Sequence, residues 1–135
     1  MKIVFADTGY WEASLNPNDK LHAKAMEVSA SLGKVRLLTS EMVLDELLAA
    51  LSKVPVRPYA IQGVEAISAN PNVEVVPQTS LQFGRAFDLY RRMADKEWSL
   101  TDCASFEIMR ERGLTEALAH DHHFVQSGFV ALLRD

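Results

Sequence analysis

Four acids, Asp7, Glu46, Asp102 and Asp121, stand where carboxylates from distant parts of the chain could converge. Asp7 follows the apolar run Ile3-Val4-Phe5-Ala6, and Asp121 follows Ala117-Leu118-Ala119. Both sit just past the carboxyl end of an expected strand, where open α/β sheets place their ligands. Alone, either is equally an acid in a turn or at a helix cap, and Thr8 could cap in place of Asp7. Two acids at equivalent ends of separate strands point to a shared site. Crowded carboxylates repel one another, and without a cation some hold a proton at raised pKa. The chemistry open to such a set is that of a hard divalent cation, Mg2+ or Mn2+, held by oxygen ligands.

Glu46 is informative because of its neighbours. Positions three and four away share its helix face, and these are Met42, Val43, Ala49 and Ala50, all apolar. Asp45 faces Glu41 and Ser52, a solvated stripe. An ionised carboxylate on an apolar face needs a cation or metal beside it, or else snorkels to water. Asp102 has a competing explanation. Ser99-Leu100-Thr101-Asp102 matches a capping box, in which the acid serves the helix terminus alone. Nineteen residues separate Asp102 from Asp121, enough for a helix, a Gly turn and a short strand back to the same sheet end.

Other residues invite chemistry less strongly. His120, His122 and His123 surround Asp121, but structural zinc wants four closed ligands and the chain has one cysteine. A solvated loop beside the cleft is the preferred view, with a phosphate contact or proton transfer by one histidine left open. Cys103 falls in the apolar helical pattern with Ala104 and Phe106 and reads as a small buried hydrophobe. Arg57, Arg85, Arg91, Arg92 and Lys96 are candidate phosphate contacts, though charged runs are more often solvated helix faces. Trp11 could stack on a base, with core or interface packing favoured.

The elements that must position these groups alternate along the chain. Strands are expected at Lys2 to Ala6, Val35 to Leu38, Val73 to Val76, Ala117 to Ala119 and Phe129 to Leu133. Asp7-Thr8-Gly9 reads as a loop, and Asn16-Pro17-Asn18-Asp19 as a turn. Helices are expected from Lys20 to Leu32, Glu41 to Lys53, Tyr59 to Ala69, from Ser80 to about Met93, and from Ser99 towards Gly113. Thr39-Ser40 supplies the cap before Glu41, and Pro58 opens the fourth helical stretch. Strand–helix alternation predicts a three-layer α/β/α sandwich with a mostly parallel central sheet.

At 135 residues the chain suits one domain, spanning 1–135, and no repeat or linker interrupts it. Apolar residues make up 48% and charged residues 24%, an ordinary globular balance that excludes disordered and fibrous classes. No apolar run approaches bilayer thickness and no secretory pattern opens the chain, so a cytoplasmic location without membrane contact is expected. A single cysteine precludes an intrachain disulfide. The net charge of −4 argues mildly against nucleic-acid binding, but setting the four acids aside brings it to zero.

Motifs in series resemble a known family. Ile3-Val4-Phe5-Ala6-Asp7-Thr8 looks like the opening of a PIN domain, and Thr39 to Leu48 resembles the family's helix with its acidic Glu46. Leu100-Thr101-Asp102-Cys103-Ala104-Ser105-Phe106 and Ala119-His120-Asp121-His122-His123-Phe124 resemble its third and last acidic motifs. The order is right and spans almost the whole chain. The resemblance implies a Rossmann-like fold and Mg2+- or Mn2+-dependent cleavage of single-stranded RNA, as in the VapC toxins of toxin–antitoxin pairs. It implies Asp7, Glu46, Asp102 and Asp121 as the acidic residues, with Thr8 as a polar companion. Asp7, Glu46 and Asp102 would position the ion, and Asp121 would complete the cluster or hold a second ion. The products expected carry a 5′-phosphate and a 3′-hydroxyl. Ala119 departs from the family's frequent Thr or Ser at that position, which bears on how Asp121 is oriented. Expected partners are structured or single-stranded RNA, a cognate antitoxin and a second copy in a homodimer, with the apolar helices from Glu41 to Ala69 as a surface. The main alternative is an inactive PIN-like module that binds RNA or protein. A phosphoacceptor role for Asp7 is weakened by Gly9, where such enzymes carry a second acid, and a DNA-cleaving relative is a further rival.

Overall fold

Val4, Phe5 and Ala6 are consecutive and all fully buried. Successive strand residues point to opposite faces, so this strand must be covered on both sides. In the computed structural model, which describes residues 1–134, the strands are β1 (Lys2–Ala6), β2 (Val35–Ser40), β3 (Val73–Val76), β4 (Glu116–Leu118) and β5 (Val130–Ala131). The helices are α1 (Thr8–Leu15), α2 (His22–Ser31), α3 (Glu41–Ala50), α4 (Arg57–Ala69), α5 (Ser80–Arg92), α6 (Leu100–Glu111) and α7 (His122–Gln126). The sheet order is β3-β2-β1-β4-β5, and each neighbouring pair is parallel. Helices α1 to α4 pack on one another, while α5 lies along α6 and α6 meets α7. This is the three-layer α/β/α sandwich that the alternation predicts.

The topology decides where a ligand can bind. From β1 the chain builds outward through β2 and β3, then returns to the other side of β1 for β4 and β5. The connections diverge between β1 and β4, and the crevice beyond their carboxyl ends is the binding position of open α/β sheets. The Asp7 N–H donates to the Leu118 carbonyl at 3.1 Å, seating the two strand ends side by side.

Several elements differ from expectation. Where a loop was expected after β1, α1 begins at Thr8 with Asp7 as its N-cap residue. Thr8, Tyr10, Trp11 and Ala13 are all buried, so this short helix shows no single apolar stripe for periodicity to detect. The stretch expected to be a loop around the histidines contains α7, nucleated by the Asp121 cap and anchored by the fully buried Phe124. Strand β5 is limited to Val130–Ala131, because its partner β4 is only three residues long. The α3 helix stops at Ala50, short of Lys53.

Candidate active site

Each acid reaches the crevice from a different element. Asp7 occupies the N-cap position of α1 in extended conformation, yet its side chain makes no capping bond. Its carboxyl therefore does not cap the helix that follows. It is only 7% exposed. Burial is the largest cause raising its pKa to about 8, the Thr8 backbone N–H pulls the other way, and the charges of Asp102, Glu46 and Asp121 raise it further. Asp102, Glu46 and Asp121 are thus each close enough to act on Asp7. A carboxyl with this environment holds its proton at neutral pH unless a cation arrives.

Glu46 is half-buried on α3, while Asp45 beside it is exposed, as their neighbours predict. Met42, Val43 and Leu47 carry the buried face; Ala49 and Ala50 are exposed. Asp102 is 8% exposed at the first turn of α6. Its capping box is complete: Ser99 Oγ accepts from the Asp102 N–H at 3.0 Å, and Asp102 Oδ2 accepts from the Ser99 N–H at 3.0 Å. Capping and proximity to the other acids coexist, because the cap uses only one carboxylate oxygen. Asp121 behaves likewise, its Oδ1 accepting from the His123 N–H at 3.0 Å.

Whether a divalent cation suits these residues is tested by their donors. Thr8 Oγ1 is buried and has no hydrogen-bond partner, an unsatisfied oxygen directly after Asp7. An unpaired buried hydroxyl and a carboxyl made hard to ionise by burial and by neighbouring acids are both relieved by a hard cation or its water. The donor set fits. Among the described residues, one trio of potential ligand atoms lies within 4.8 Å of one another, namely those of Asp121, His122 and His123. That trio mixes one acid with two histidines and does not include Asp7.

A groove of about 850 Å³ borders the cluster, lined in part by Glu12, Lys20, His122, His123 and Arg134. Three of these were not anticipated from the sequence. Glu12 is half-buried, and burial, Asp19 and Glu46 raise its pKa. It lies on α1, the helix that periodicity did not reveal. Lys20 and Arg134 supply positive charge beside the acids, and Arg134 donates to the His120 carbonyl at 2.9 Å. The five basic residues singled out from the sequence do not line this groove. Arg85 pairs with Glu111, Arg92 with Asp88, Lys96 with Asp95, Arg91 lies over Phe87, and Arg57 donates to the Ser52 carbonyl.

Trp11 is a core residue and does not present a stacking face. It is buried, and its Nε1–H donates to Thr39 Oγ1 at 3.2 Å, which in turn donates to the Ala6 carbonyl at 2.9 Å. Cys103 is fully buried, and that burial pushes its thiol up to about 11, as expected of an inert core sulfur.

Comparison with known proteins decides the family. The PIN domain model matches residues 4–130. The chain belongs to the PIN domain family. This PIN domain is 32% identical over 128 residues to the 23S rRNA-specific endonuclease VapC20 in two strains of Mycobacterium tuberculosis, covering 95% of this chain and 96% of the relative. The crystal structure of Mycobacterium tuberculosis VapC20, described as a sarcin-ricin loop cleaving toxin, aligns with a TM-score of 0.86 at 31% identity, covering 94% of this chain and 96% of that one. Rickettsia felis VapBC2, bound to a DNA fragment from its promoter, aligns with a TM-score of 0.64 at 13% identity over 96% of both chains. FitAcB of Neisseria gonorrhoeae aligns with a TM-score of 0.61 at 18% identity over 95% of this chain and 94% of that one. At those lower identities the likeness concerns the PIN fold alone.

Proposed function

We propose that this chain is a divalent-metal-dependent endoribonuclease and the toxin of a VapBC-like pair, working as one nuclease domain in the cytoplasm. The observation that carries the reading is Asp7: a buried carboxyl, unengaged by any cap, facing the charges of Asp102, Glu46 and Asp121 at the sheet's topological switch. Whole-length similarity to a 23S rRNA-specific endonuclease supports RNA as the substrate class.

Asp7, Glu46 and Asp102 are proposed to hold Mg2+ or Mn2+, with Asp121 completing the set. When bound, such an ion acidifies an attacking water and neutralises charge on the scissile phosphate. The chain's own residues do the rest. Asp102 Oδ2 and Asp121 Oδ1 are engaged by N–H donors, which orients the opposite oxygen of each carboxylate. Lys20 and Arg134 line the groove and offset repulsion between the acids and an incoming phosphate backbone. Phe124, fully buried against Phe106, keeps α7 and its Asp121 cap in place.

An antitoxin and a second copy are the proposed protein partners. Leu48, Val54, Tyr59 and Ile61, between Glu41 and Ala69, are exposed apolar side chains that association would cover. No helix among the described residues is long and apolar enough to cross a membrane.

The test is cleavage of RNA, beginning with a stem-loop of sarcin-ricin type because of the relative's substrate. Cleavage is expected with Mg2+ or Mn2+, loss in chelator, and products ending in 5′-phosphate and 3′-hydroxyl. Full activity in chelator overturns the metal reading. RNA binding with no turnover in Mn2+ favours the inactive module instead.

A further inference from the structure

The imidazole of His123 joins two acids that come from different elements. Its Nδ1 lies 3.0 Å from Asp102 Oδ2 and 3.2 Å from Asp121 Oδ1. An ionised carboxylate only accepts, so Nδ1 carries the hydrogen and donates it to Asp102 Oδ2, with Asp121 Oδ1 in close electrostatic contact beside it. Each of those oxygens already accepts one backbone N–H, from Ser99 on Asp102 and from His123 itself on Asp121. With two donors converging on Asp102 Oδ2, and a backbone N–H and the ring nitrogen beside Asp121 Oδ1, the rotation of both carboxylates is restricted. Oδ1 of Asp102 and Oδ2 of Asp121 are left for another partner.

The ring is held where it can do this. The His123 side chain is 17% exposed and that of Asp102 12%, so the bond between them is shielded from competing water. Next in sequence, Phe124 is fully buried and meets Phe106 of α6 edge-on with ring centroids 4.9 Å apart. That contact pins α7 against the helix that carries Asp102. His123 therefore spans a gap of 21 residues in sequence through one hydrogen.

We infer that His123 is the positioning residue of the acidic site: it locks Asp102 and Asp121 into a coupled pair that presents one oxygen each to a divalent cation. This rests on the proposal that the acids hold such an ion. Hydrogen bonds to the non-coordinating oxygen of a ligand fix its orientation, and losing them typically weakens metal affinity about 10- to 100-fold. His123 touches neither the substrate nor the reacting atoms in this role.

The test is Mn2+ binding by the full chain without RNA, read from the electron paramagnetic resonance of the unbound ion. The unaltered chain is compared with Asp7→Asn, His123→Phe and His123→Asn. Phe keeps a ring but has no N–H, whereas the Asn amide offers a donor near the place of Nδ1. His123→Phe is expected to weaken Mn2+ binding about 10- to 100-fold, and His123→Asn to recover most of it. At saturating Mn2+ and RNA, the Phe variant is expected to lower kcat while leaving KM for RNA near its original value. Parent-like Mn2+ affinity in His123→Phe, alongside loss in Asp7→Asn, overturns the positioning role and spares the metal reading. Absence of Mn2+ binding in the unaltered chain overturns both. If His123→Phe does not melt cooperatively, His123→Ala takes its place under the same criteria.

Discussion

The backbone N–H of Asp7 donates to the carbonyl of Leu118 at 3.1 Å, across 111 positions of sequence. This one bond puts the carboxyl end of β1 against that of β4. It is why an acid after the first strand and acids flanking the fourth face a common crevice. A parallel sheet whose strand order reverses between those two strands leaves room there for a ligand.

Asp7 gives the metal-free protein an unusual pH dependence. Its carboxyl has an ordinary value of 3.8 and is raised to about 8 in the fold. Between those limits the folded chain keeps a proton that the unfolded chain releases. Stability in chelator therefore falls as pH rises through that window, with a slope from this group of up to about 1.4 kcal/mol per pH unit. Above the folded value the slope ends. Urea unfolding in chelator from pH 5 to 9 is expected to show this decline, and Asp7→Asn to flatten it. A variant with the same slope as its parent contradicts the assignment.

Asp7→Asn is also expected to separate stability from activity. The amide needs no proton to be neutral, so the metal-free variant at pH 8 is at least as stable as its parent. RNA cleavage is expected to fall by at least about 100-fold, since losing a ligand should exceed losing a residue that supports one. Thermal melts and single-turnover cleavage on the same preparation check both halves.

Lys20 and Arg134 line the groove beside the acids. Replacing either by Ala is expected to raise KM for RNA with little change in kcat. The slope of log affinity against log salt should drop by about 1 for each phosphate that is no longer neutralised. An unchanged salt slope in both variants places the backbone path elsewhere.

Trp11 and Cys103 separate structure from chemistry. Trp11→Phe removes the Nε1–H donated to Thr39, and is expected to lower stability by about 1–3 kcal/mol while leaving RNA affinity unchanged. A drop in RNA affinity without a drop in stability would return Trp11 to a stacking role. The Cys103 thiol, buried and raised to about 11, is expected to resist iodoacetamide in the folded chain and react on unfolding. Mass spectrometry with and without urea reads this directly.

Strand–helix alternation, the ends of β1 and β4, and the contrast between Glu46 and Asp45 were legible in the sequence. Those features are carried by residue type at short spacing: apolar runs, caps, and which positions share a helix face. Ser99 and Asp102 announced their capping box for the same reason. Helix α1 was not legible, because a short helix buried on several sides has no stripe, and with it Glu12 was missed. Nor could the sequence separate the basic residues on α5 and its flanks from Lys20 and Arg134, since facing the crevice depends on which layer a helix joins.

The sequence by itself determined the fold class and supplied the four acids, because local pattern fixes elements and parallel topology brings their strand ends to one side. Only the tertiary structure decided how those acids are held. A single histidine nitrogen is hydrogen-bonded to one oxygen of Asp102 and lies 3.2 Å from one oxygen of Asp121. A hydrogen bond works only within a few tenths of an ångström, and packing of Phe124 on Phe106, not spacing along the chain, sets that distance.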